Sequence, residues 1–480
     1  MSVKTRVAPS PTGEFHIGGV RTFLYNYAFA KQSNGKFVLR IEDTDRERLV
    51  EGALERLLEV IKDYGLSWDE GPEVGGPQEP YVQSKRLEIY RKYAEELVDK
   101  GAAYRCFCSK ERLDELRKEQ QAAGAPITKY DKRCLLFSKE EVEKKLSESE
   151  SYVIRLDVSE NEEITFEDMT LGTVTINTKD IDDQVLLKSD GFPTYHLAVV
   201  VDDHLMGITH VMRGVEWLPS TPKHIILYRE FGWDLPTYVH LPLLKEKGSS
   251  KKLSKRTGDV DAREFLKDGY LPEAVLNFLM FLGWNPGTER EIYSVDEFIE
   301  EFSVERIHKT DLVVFDRDKL LWFNGQYIRA LSPKALFERV LDWSEKYDVE
   351  IPPITEEIVG LIQERLRRFD EISDMTRYFF EGPTPEAEHI LEYVSDIKRA
   401  KQIVADFKEV YEGVSSWDAN ELDTISHGLI EEKGYKPKEA FMTVRLAVSG
   451  SRMTPPLFDI LQVIGKDGVI SRLEKTLVQL

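Results

Sequence analysis

Residues 6–19, Arg-Val-Ala-Pro-Ser-Pro-Thr-Gly-Glu-Phe-His-Ile-Gly-Gly, constrain the fold of this chain more than any other stretch. An extended apolar start, Val3 to Ala8, runs into a Pro/Gly-rich turn, and His16-Ile17-Gly18-Gly19 then opens a helical run over Arg21–Lys31. A strand, a glycine-bearing loop and a helix N-terminus make a phosphate site, because free backbone N–H groups and the helix dipole favour an anion there. Gly18 and Gly19 take Cβ atoms out of the path of a phosphate or an adenine. His16 can donate a hydrogen bond to an α-phosphate as charge builds on it.

Far downstream, residues 245–256 read Lys-Glu-Lys-Gly-Ser-Ser-Lys-Lys-Leu-Ser-Lys-Arg. The core of this run, Lys252 to Arg256 with Ser254 and Lys255 inside it, follows a Gly/Ser stretch typical of a loop. Its lysines suit a departing pyrophosphate, closing over the phosphates and stabilising charge in the transition state. A Gly-rich turn alone is most often only a turn, and a short basic run is most often a solvated loop. The two in one chain carry more weight than either alone.

Helical and extended signals then set the organisation. The first part alternates a strand at 3–8, a helix at 21–32, a strand at 36–42 and a helix near 50–64, the order of a βαβ unit with a parallel sheet. Residues 104–190 break that order with a charged helical run at 110–121, a Ser/Glu-rich stretch at 147–151 and short strands at 152–158 and 174–177, which reads as an insertion. The βα pattern resumes over 184–229, and helical periodicity dominates from Ala262 onward, interrupted by Gly-Pro-Thr-Pro at 382–385.

Length and composition fit a chain of roughly two to five structural units. The chain has 480 residues, 41% of them hydrophobic, enough for well-formed cores. The net charge of −21 argues against non-specific nucleic-acid binding, yet basic segments at 245–256, 365–368, 433–438 and 445–452 leave room for a local RNA-binding face. Three cysteines make no disulfide framework, and no basic segment with an apolar stretch precedes the first strand, so a cytoplasmic location is expected. The apolar run Val275–Trp284 is too short to span a bilayer, and no membrane partner is expected.

The two phosphate-handling motifs resemble the HIGH and KMSKS signatures of class I aminoacyl-tRNA synthetases. Residues 6–13, Arg40-Ile41-Glu42-Asp43-Thr44-Asp45, Asp202-Asp203-His204-Leu205-Met206-Gly207-Ile208 and Lys252–Arg256 are similar to the bacterial-type glutamyl-tRNA synthetase family, with motif matches reaching Pro455-Pro456-Leu457-Phe458. Gly19 in place of the last His of HIGH is common there. This resemblance implies an α/β plus all-α architecture: a Rossmann-type catalytic domain in two halves, 1–90 and 191–245; an acceptor-stem-binding insertion, 91–190; a stem-contact unit carrying the Lys252–Arg256 loop, 246–325; and two helical anticodon-binding subdomains, 326–383 and 384–480.

The reaction implied by the resemblance has two steps. The α-carboxylate of glutamate attacks the α-phosphate of ATP, which enters with Mg²⁺, and a hydroxyl of the terminal adenosine of tRNA then attacks the glutamyl-adenylate. A carboxylate is ionised at pH 7, so the first step needs no general base, and positioning and charge stabilisation carry it. His16, Gly18, Lys252 and Lys255 are the expected catalytic set, joined at ATP by Gly19, Trp217 and Ser254. Arg6 and Arg213 match the positions that bind the carboxylates of glutamate; Ala8, Ser10 and Glu42 match the ammonium-binding set; Tyr195 matches a phenol that bonds the substrate. Arginine suits a carboxylate through its planar fork, and glutamine would leave such an arginine unpaired.

The resemblance also has departures. Some relatives carry Asn four residues after the substrate Tyr, where this chain has Val199. Some bind zinc through Cys-x-Cys and a later Cys-x-His. Here Cys106, Cys108 and Cys134 fit the spacing, but Leu136 stands at the histidine position, so zinc requires a fourth ligand from elsewhere. Arg445 and Leu457 match positions that contact an anticodon base. The expected partners are glutamate, ATP and tRNA for glutamate, with a monomeric enzyme; the alternatives are a relaxed enzyme that also charges tRNA for glutamine, and a non-catalytic tRNA-binding paralogue. A shortened paralogue would lack the chain beyond 325, a glutaminyl-tRNA synthetase would carry a β-barrel C-terminal half, and a small-molecule adenylyltransferase would not need the helical third.

Overall fold

The structure is a computed structural model that describes residues 2–253, 260–383 and 387–480. The chain divides into two units, Met1–Glu264 with Val275–Arg317, and Phe265–Ala274 with Asp318–Leu480.

In the first unit, β1 (Lys4–Val7) and β2 (Lys36–Leu39) pair in parallel, joined by the helix Ile17–Gln32. That helix starts earlier than the expected Arg21. His16 caps it, its Nδ1 accepting the N–H of Gly18 at 2.9 Å, so the two glycines that look like a loop lie inside the first turn. Ile17, Val20, Phe23 and Leu24 then bury one side. The return into β2 passes Gly35, where a Cβ would stand 2.1 Å from the carbonyl oxygen of Val3, so no larger residue fits.

Beside β1 runs β8 (His210–Gly214), tied to it by the Thr209 N–H donating to the Lys4 carbonyl at 2.9 Å. β8 pairs in parallel with β9 (Thr237–Leu241), and β9 touches β5 (Glu163–Asp168), which pairs antiparallel with β6 (Gly172–Asn177). The helices Leu87–Asp99, Tyr195–Leu205 and Thr221–Phe231 supply apolar residues to the same core, with Tyr90, Leu97, Val199, Val200, Ile226 and Leu227 buried. Burial alternates along β5, while β9 is buried over all but its first residue.

A separate antiparallel sheet orders β3 (Ala103–Cys106), β4 (Val153–Leu156) and β7 (Val185–Leu187). The charged helix expected at 110–121 forms at Lys110–Ala122, capped by Ser109, with no side chain fully buried and Leu113 and Leu116 packed partly against Tyr104, Cys106, Tyr130 and Cys134. Helical periodicity from Ala262 onward hid one strand: β11 (Leu312–Phe315) pairs in parallel with β10 (Leu243–Glu246).

The second unit is helical, with no strand among its described residues. One core gathers Leu336, Val340, Ile358, Ile362 and Phe369, and another gathers Ile403, Val404, Phe407, Val444 and Leu461. Of the 382–385 break, Thr384 and Pro385 lie outside the described residues. No described helix is long and apolar enough to cross a membrane.

Candidate active site at the carboxyl ends of the parallel strands

A cavity of about 520 Å³ opens where β1, β8 and β9 end. The crevice beyond the carboxyl ends of parallel strands is where ligands bind in such sheets. It brings together most of the residues expected from sequence: Arg6, Ala8, Glu42, Tyr195 and Arg213, with His16, Gly18, Gly19, Trp217 and Lys252. Ser10 is exposed and does not line it, and Val199 is buried in the apolar core instead. Ser254 and Lys255 lie outside the described residues.

The two motifs meet through backbone pairing. Ile17 donates its N–H to Val260 at 2.7 Å and Ala262 donates to Phe15 at 2.8 Å, while Leu253 donates to Leu244 at 2.6 Å. These short bridges hold both ends of the lysine-rich segment against the strand and helix that form the cavity floor. Because His16 Nδ1 accepts from Gly18, the neutral ring carries its proton on Nε2. Gly19, which lines the cavity, also makes room for protein: a Cβ there would stand 2.6 Å from the ring of Phe15.

Behind the cavity lies a buried charge network that the sequence motifs contain without revealing. Arg6 donates to Asp203 from Nε at 3.1 Å and from Nη2 at 3.3 Å. Arg40 donates to Asp203 at 2.7 Å and to Glu42 at 3.0 Å, and Arg86 donates to Asp202 at 2.8 Å. Arg6, Arg40 and Arg86 thus face Glu42, Asp202 and Asp203, a balanced set. Burial pushes the carboxyl of Asp203 up, but Arg6 and Arg40 outweigh it and hold the group below its usual range. At Glu42 burial wins over Arg40, and its carboxyl lies above the usual range.

Arg213 differs from these three arginines. It is buried, it lines the cavity, and it has no carboxylate partner among the described residues. Its acceptors are neutral: His240 Nε2 at 3.3 Å, Tyr195 Oη at 3.3 Å, His224 Nδ1 at 3.3 Å, Thr221 Oγ1 at 2.8 Å and the Trp217 carbonyl at 3.4 Å. Burial, reinforced by Arg213, holds His224 well below the ordinary imidazole range, and burial lowers His240 against the pull of Asp168. A buried cation surrounded by neutral acceptors is a costly arrangement that an anionic ligand relieves. Tyr195 and Trp217 stand with ring centroids 4.4 Å apart beside it, Trp217 partly exposed as a platform for a flat ligand. Sequence reading missed His224, His240 and Thr221, since a lone histidine in an apolar strand or helix gives no sign of what it faces.

The three cysteines converge, their sulfur atoms within 4.8 Å of one another. Cys108 Sγ lies 3.3 Å from the hydroxyl of Tyr130, while Leu136, at the position where relatives carry histidine, points into solvent with 82% exposure. Cysteine sulfurs are a ligand type that zinc takes, and the phenol of Tyr130 stands beside them.

In the second unit, Arg445 donates to the hydroxyl of Thr454 and, at 2.8 Å, to the carbonyl of Pro455, and Leu457 is buried in the helical core. A second cavity of about 510 Å³ beside this turn is lined by Arg365, Arg377, Tyr378 and Met453 among others, but not by Arg445 or Leu457.

Comparison with known proteins agrees with this geometry. Residues 2–322 match the family model of the class I tRNA synthetase (E and Q) catalytic domain, and residues 335–477 match an anticodon binding domain. The chain is 45% identical to a glutamate–tRNA ligase of Finegoldia magna over 99% of both chains, and 44% identical to one of Clostridium botulinum over 98% of this chain and 97% of that one. A crystal structure of a glutamate tRNA ligase from Elizabethkingia meningosepticum in complex with its amino acid is similar over 100% of both chains, with a TM-score of 0.90 and 36% identity.

Proposed function

The chain belongs to the class I glutamate–tRNA ligases, and we propose how its own residues divide the work of attaching glutamate to tRNA. Arg213 selects the substrate. The observation that carries this reading is its burial at the cavity wall with neutral partners only, which leaves its charge for a carboxylate. A neutral glutamine side chain offers that charge nothing, and such a mismatch is rejected by roughly 10⁴-fold without editing.

Arg6 supports the second carboxylate of glutamate with the nitrogen it does not use on Asp203. Glu42, with the carbonyl of Ala8 and with Ser10, receives the ammonium group; Glu42 lines the cavity, and Ser10 lies on the exposed loop beside it. ATP enters with Mg²⁺, which would offset the charge of its phosphates. The Nε2–H of His16 then donates to the α-phosphate as the glutamate carboxylate attacks it, and Lys252 and Lys255 neutralise the leaving pyrophosphate. The open floor at Gly18 and the aromatic surface of Trp217 receive the adenosine.

The remaining segments handle tRNA in this reading. Residues 91–190 grip the acceptor end, 246–325 support the stem, and the helical units 326–383 and 384–480 read the anticodon, with Arg445 shaping the Thr454–Pro455 turn at that end. The three cysteines beside Tyr130 would hold zinc as a structural clamp on the 91–190 segment.

Aminoacylation with labelled glutamate, Mg²⁺-ATP and purified tRNA tests the proposal. Charging of tRNA for glutamate supports it, and charging of tRNA for glutamine in a separate tube marks a relaxed enzyme. Binding of tRNA without charging of either would overturn it in favour of a non-catalytic paralogue.

A further inference from the structure

We propose that Asp168 and His240 are positioning residues for the amino-acid substrate, setting the ring of His240 so that a lone pair, and not an N–H, meets the guanidinium of Arg213. The proposal rests on the reading of Arg213 as the cation that selects glutamate.

Three neighbouring strands carry the arrangement. Asp168 ends β5, His240 lies in β9 and Arg213 in β8, with Arg213 and His240 direct partners in the parallel register. The carboxylate of Asp168 is locked in place: Oδ1 accepts the N–H groups of Thr170 and Leu171, each at 2.9 Å, and Oδ2 lies 2.7 Å from His240 Nδ1. Burial pushes the Asp168 carboxyl up, but the hydrogen bond from His240 and those backbone donors hold it ionised. An ionised carboxylate can only accept, so His240 carries its proton on Nδ1 and presents a bare Nε2 to the Nε–H of Arg213, 3.3 Å away.

On the other side of the guanidinium the same logic repeats in mirror order. Arg213 has only donors, so His224 accepts with Nδ1 and carries its proton on Nε2, 3.1 Å from His196 Nδ1. Arg213 is therefore gripped between two neutral rings. A carboxylate in either place would orient it equally well and cancel its charge. Neutral acceptors orient it and leave the full positive charge for the ligand.

Asp168 is what keeps this arrangement on one tautomer. A neutral imidazole without it populates both forms, and the form with a proton on Nε2 sets N–H against N–H and displaces the guanidinium. The charged groups facing His240 are Asp168, Arg213 and, at longer range, Glu216, with Thr221 and Tyr238 as neutral neighbours.

The test is the KM for glutamate and the KM for ATP, measured in aminoacylation with the full chain and tRNA. Asp168→Asn keeps the shape but lets an amide N–H donate to Nδ1, driving the proton to Nε2. The expected result is a glutamate KM raised about tenfold with the ATP KM unchanged. His240→Met, which fills the space without an acceptor, should do the same. His240→Gln, whose amide oxygen can accept from Arg213, should give a glutamate KM several-fold lower than His240→Met. An unchanged glutamate KM in Asp168→Asn, or a KM for ATP that rises in step with it, would overturn the proposal. If His240→Met is insoluble, Asp168→Asn decides alone on the same criteria. Failure of the unaltered chain to charge tRNA with glutamate would instead remove the underlying reading of Arg213, and it is seen before any variant is made.

Discussion

Arg6 and Asp203 form a buried two-point ion pair, Nε to Oδ1 at 3.1 Å and Nη2 to Oδ2 at 3.3 Å, in the wall of the cavity that Arg6 also lines. An arginine expected to serve a substrate carboxylate is thus already half committed to the protein. Arg213, the other arginine expected in that role, has no such commitment among the described residues. The two sites are electrically different: a neutralised cation at Arg6 and an uncompensated one at Arg213. Most of the electrostatic pull on glutamate therefore comes from Arg213, and Arg6 contributes directed hydrogen bonding from a fixed position.

The first prediction concerns the balance of that network. Asp203 serves Arg6 and Arg40 at once, so Asp203→Asn leaves two buried guanidinium groups facing Glu42 and Asp202 alone. Breaking a buried pair by removing one partner costs about 3–5 kcal/mol. Urea unfolding of the variant should show a midpoint moved to lower denaturant and an unfolding free energy lower by that amount. An unmoved midpoint would mean the network is not what holds these strands and helices together.

Removal of the uncompensated charge should behave in the opposite way. Arg213→Gln is expected to lower kcat/KM for glutamate by about 10²-fold or more, since a charge-assisted pair in a water-poor site is lost. The KM for ATP should hardly change. Glutamate should raise the melting temperature of the unaltered chain by mass action and fail to raise that of the variant. The ligand-free variant should melt no lower than the original, because a buried unpaired cation is not a source of stability. Retention of a glutamate-induced shift in Arg213→Gln would contradict the assignment.

How much of this was legible in the sequence depends on the distance over which each feature acts. The opening strand, the phosphate-binding turn and the lysine run were readable because each is a local pattern whose spacing is set by backbone geometry. The start of the helix at Ile17 was misjudged because Gly18-Gly19 reads as loop, while the cap from His16 Nδ1 together with burial of Ile17 and Val20 offsets the glycine cost. β11 was missed since four apolar residues between helical runs look like part of a helix until β10 lies beside them. Asp202, Asp203, His224 and His240 were invisible as a set because their meaning comes from partners on other strands and helices. No periodicity records that Asp168 and His240 meet.

The double role of His16 can be separated by substitution. Its Nδ1 caps the helix Ile17–Gln32, and its Nε2–H is assigned to the α-phosphate. Asparagine is a good cap but cannot reach as far. His16→Asn should keep the stability of the unit while lowering the rate of adenylate formation by about 10²-fold, the scale of losing one donor at a developing oxyanion. His16→Ala should show the same loss of rate and a further destabilisation of about 1 kcal/mol. Pyrophosphate exchange and thermal melting, run side by side, resolve the two. Equal stability of the variants would remove the capping role.

The lysine loop makes a prediction about the order of events. Lys252 lines the cavity at the point where Leu253 pairs with Leu244, and Lys255 lies three residues on in sequence. If the loop acts on the leaving pyrophosphate, Lys255→Ala and Lys252→Ala should each slow pyrophosphate exchange by about 10²-fold or more, with tRNA affinity nearly unchanged. Activation of glutamate by Lys255→Ala at the original rate would end that role.

The histidines around Arg213 give the fold a specific acid sensitivity. Burial, with Lys223 and Arg213 nearby, lowers His196 to about 3, and His224 and His240 are lowered for the same leading reason. A histidine whose folded pKa is depressed binds fewer protons when folded than when unfolded. Its contribution is therefore complete above the unfolded value of about 6.5 and is lost as pH falls through and below it. For His196 alone, acidification from pH 7 to pH 5 costs about 2 kcal/mol of stability, and His224 and His240 act in the same direction. Depressed carboxylates such as Asp203 and Asp168 respond only at lower pH, while the raised carboxyl of Glu42 acts in the opposite direction and offsets part of the histidine effect. The melting temperature of the first unit should fall from pH 7 to pH 5, and His196→Gln should flatten the fall. A melting temperature that stays level from pH 7 to pH 5 would show that these rings are not held neutral, and with that the account of an Arg213 kept fully charged for its ligand would fail.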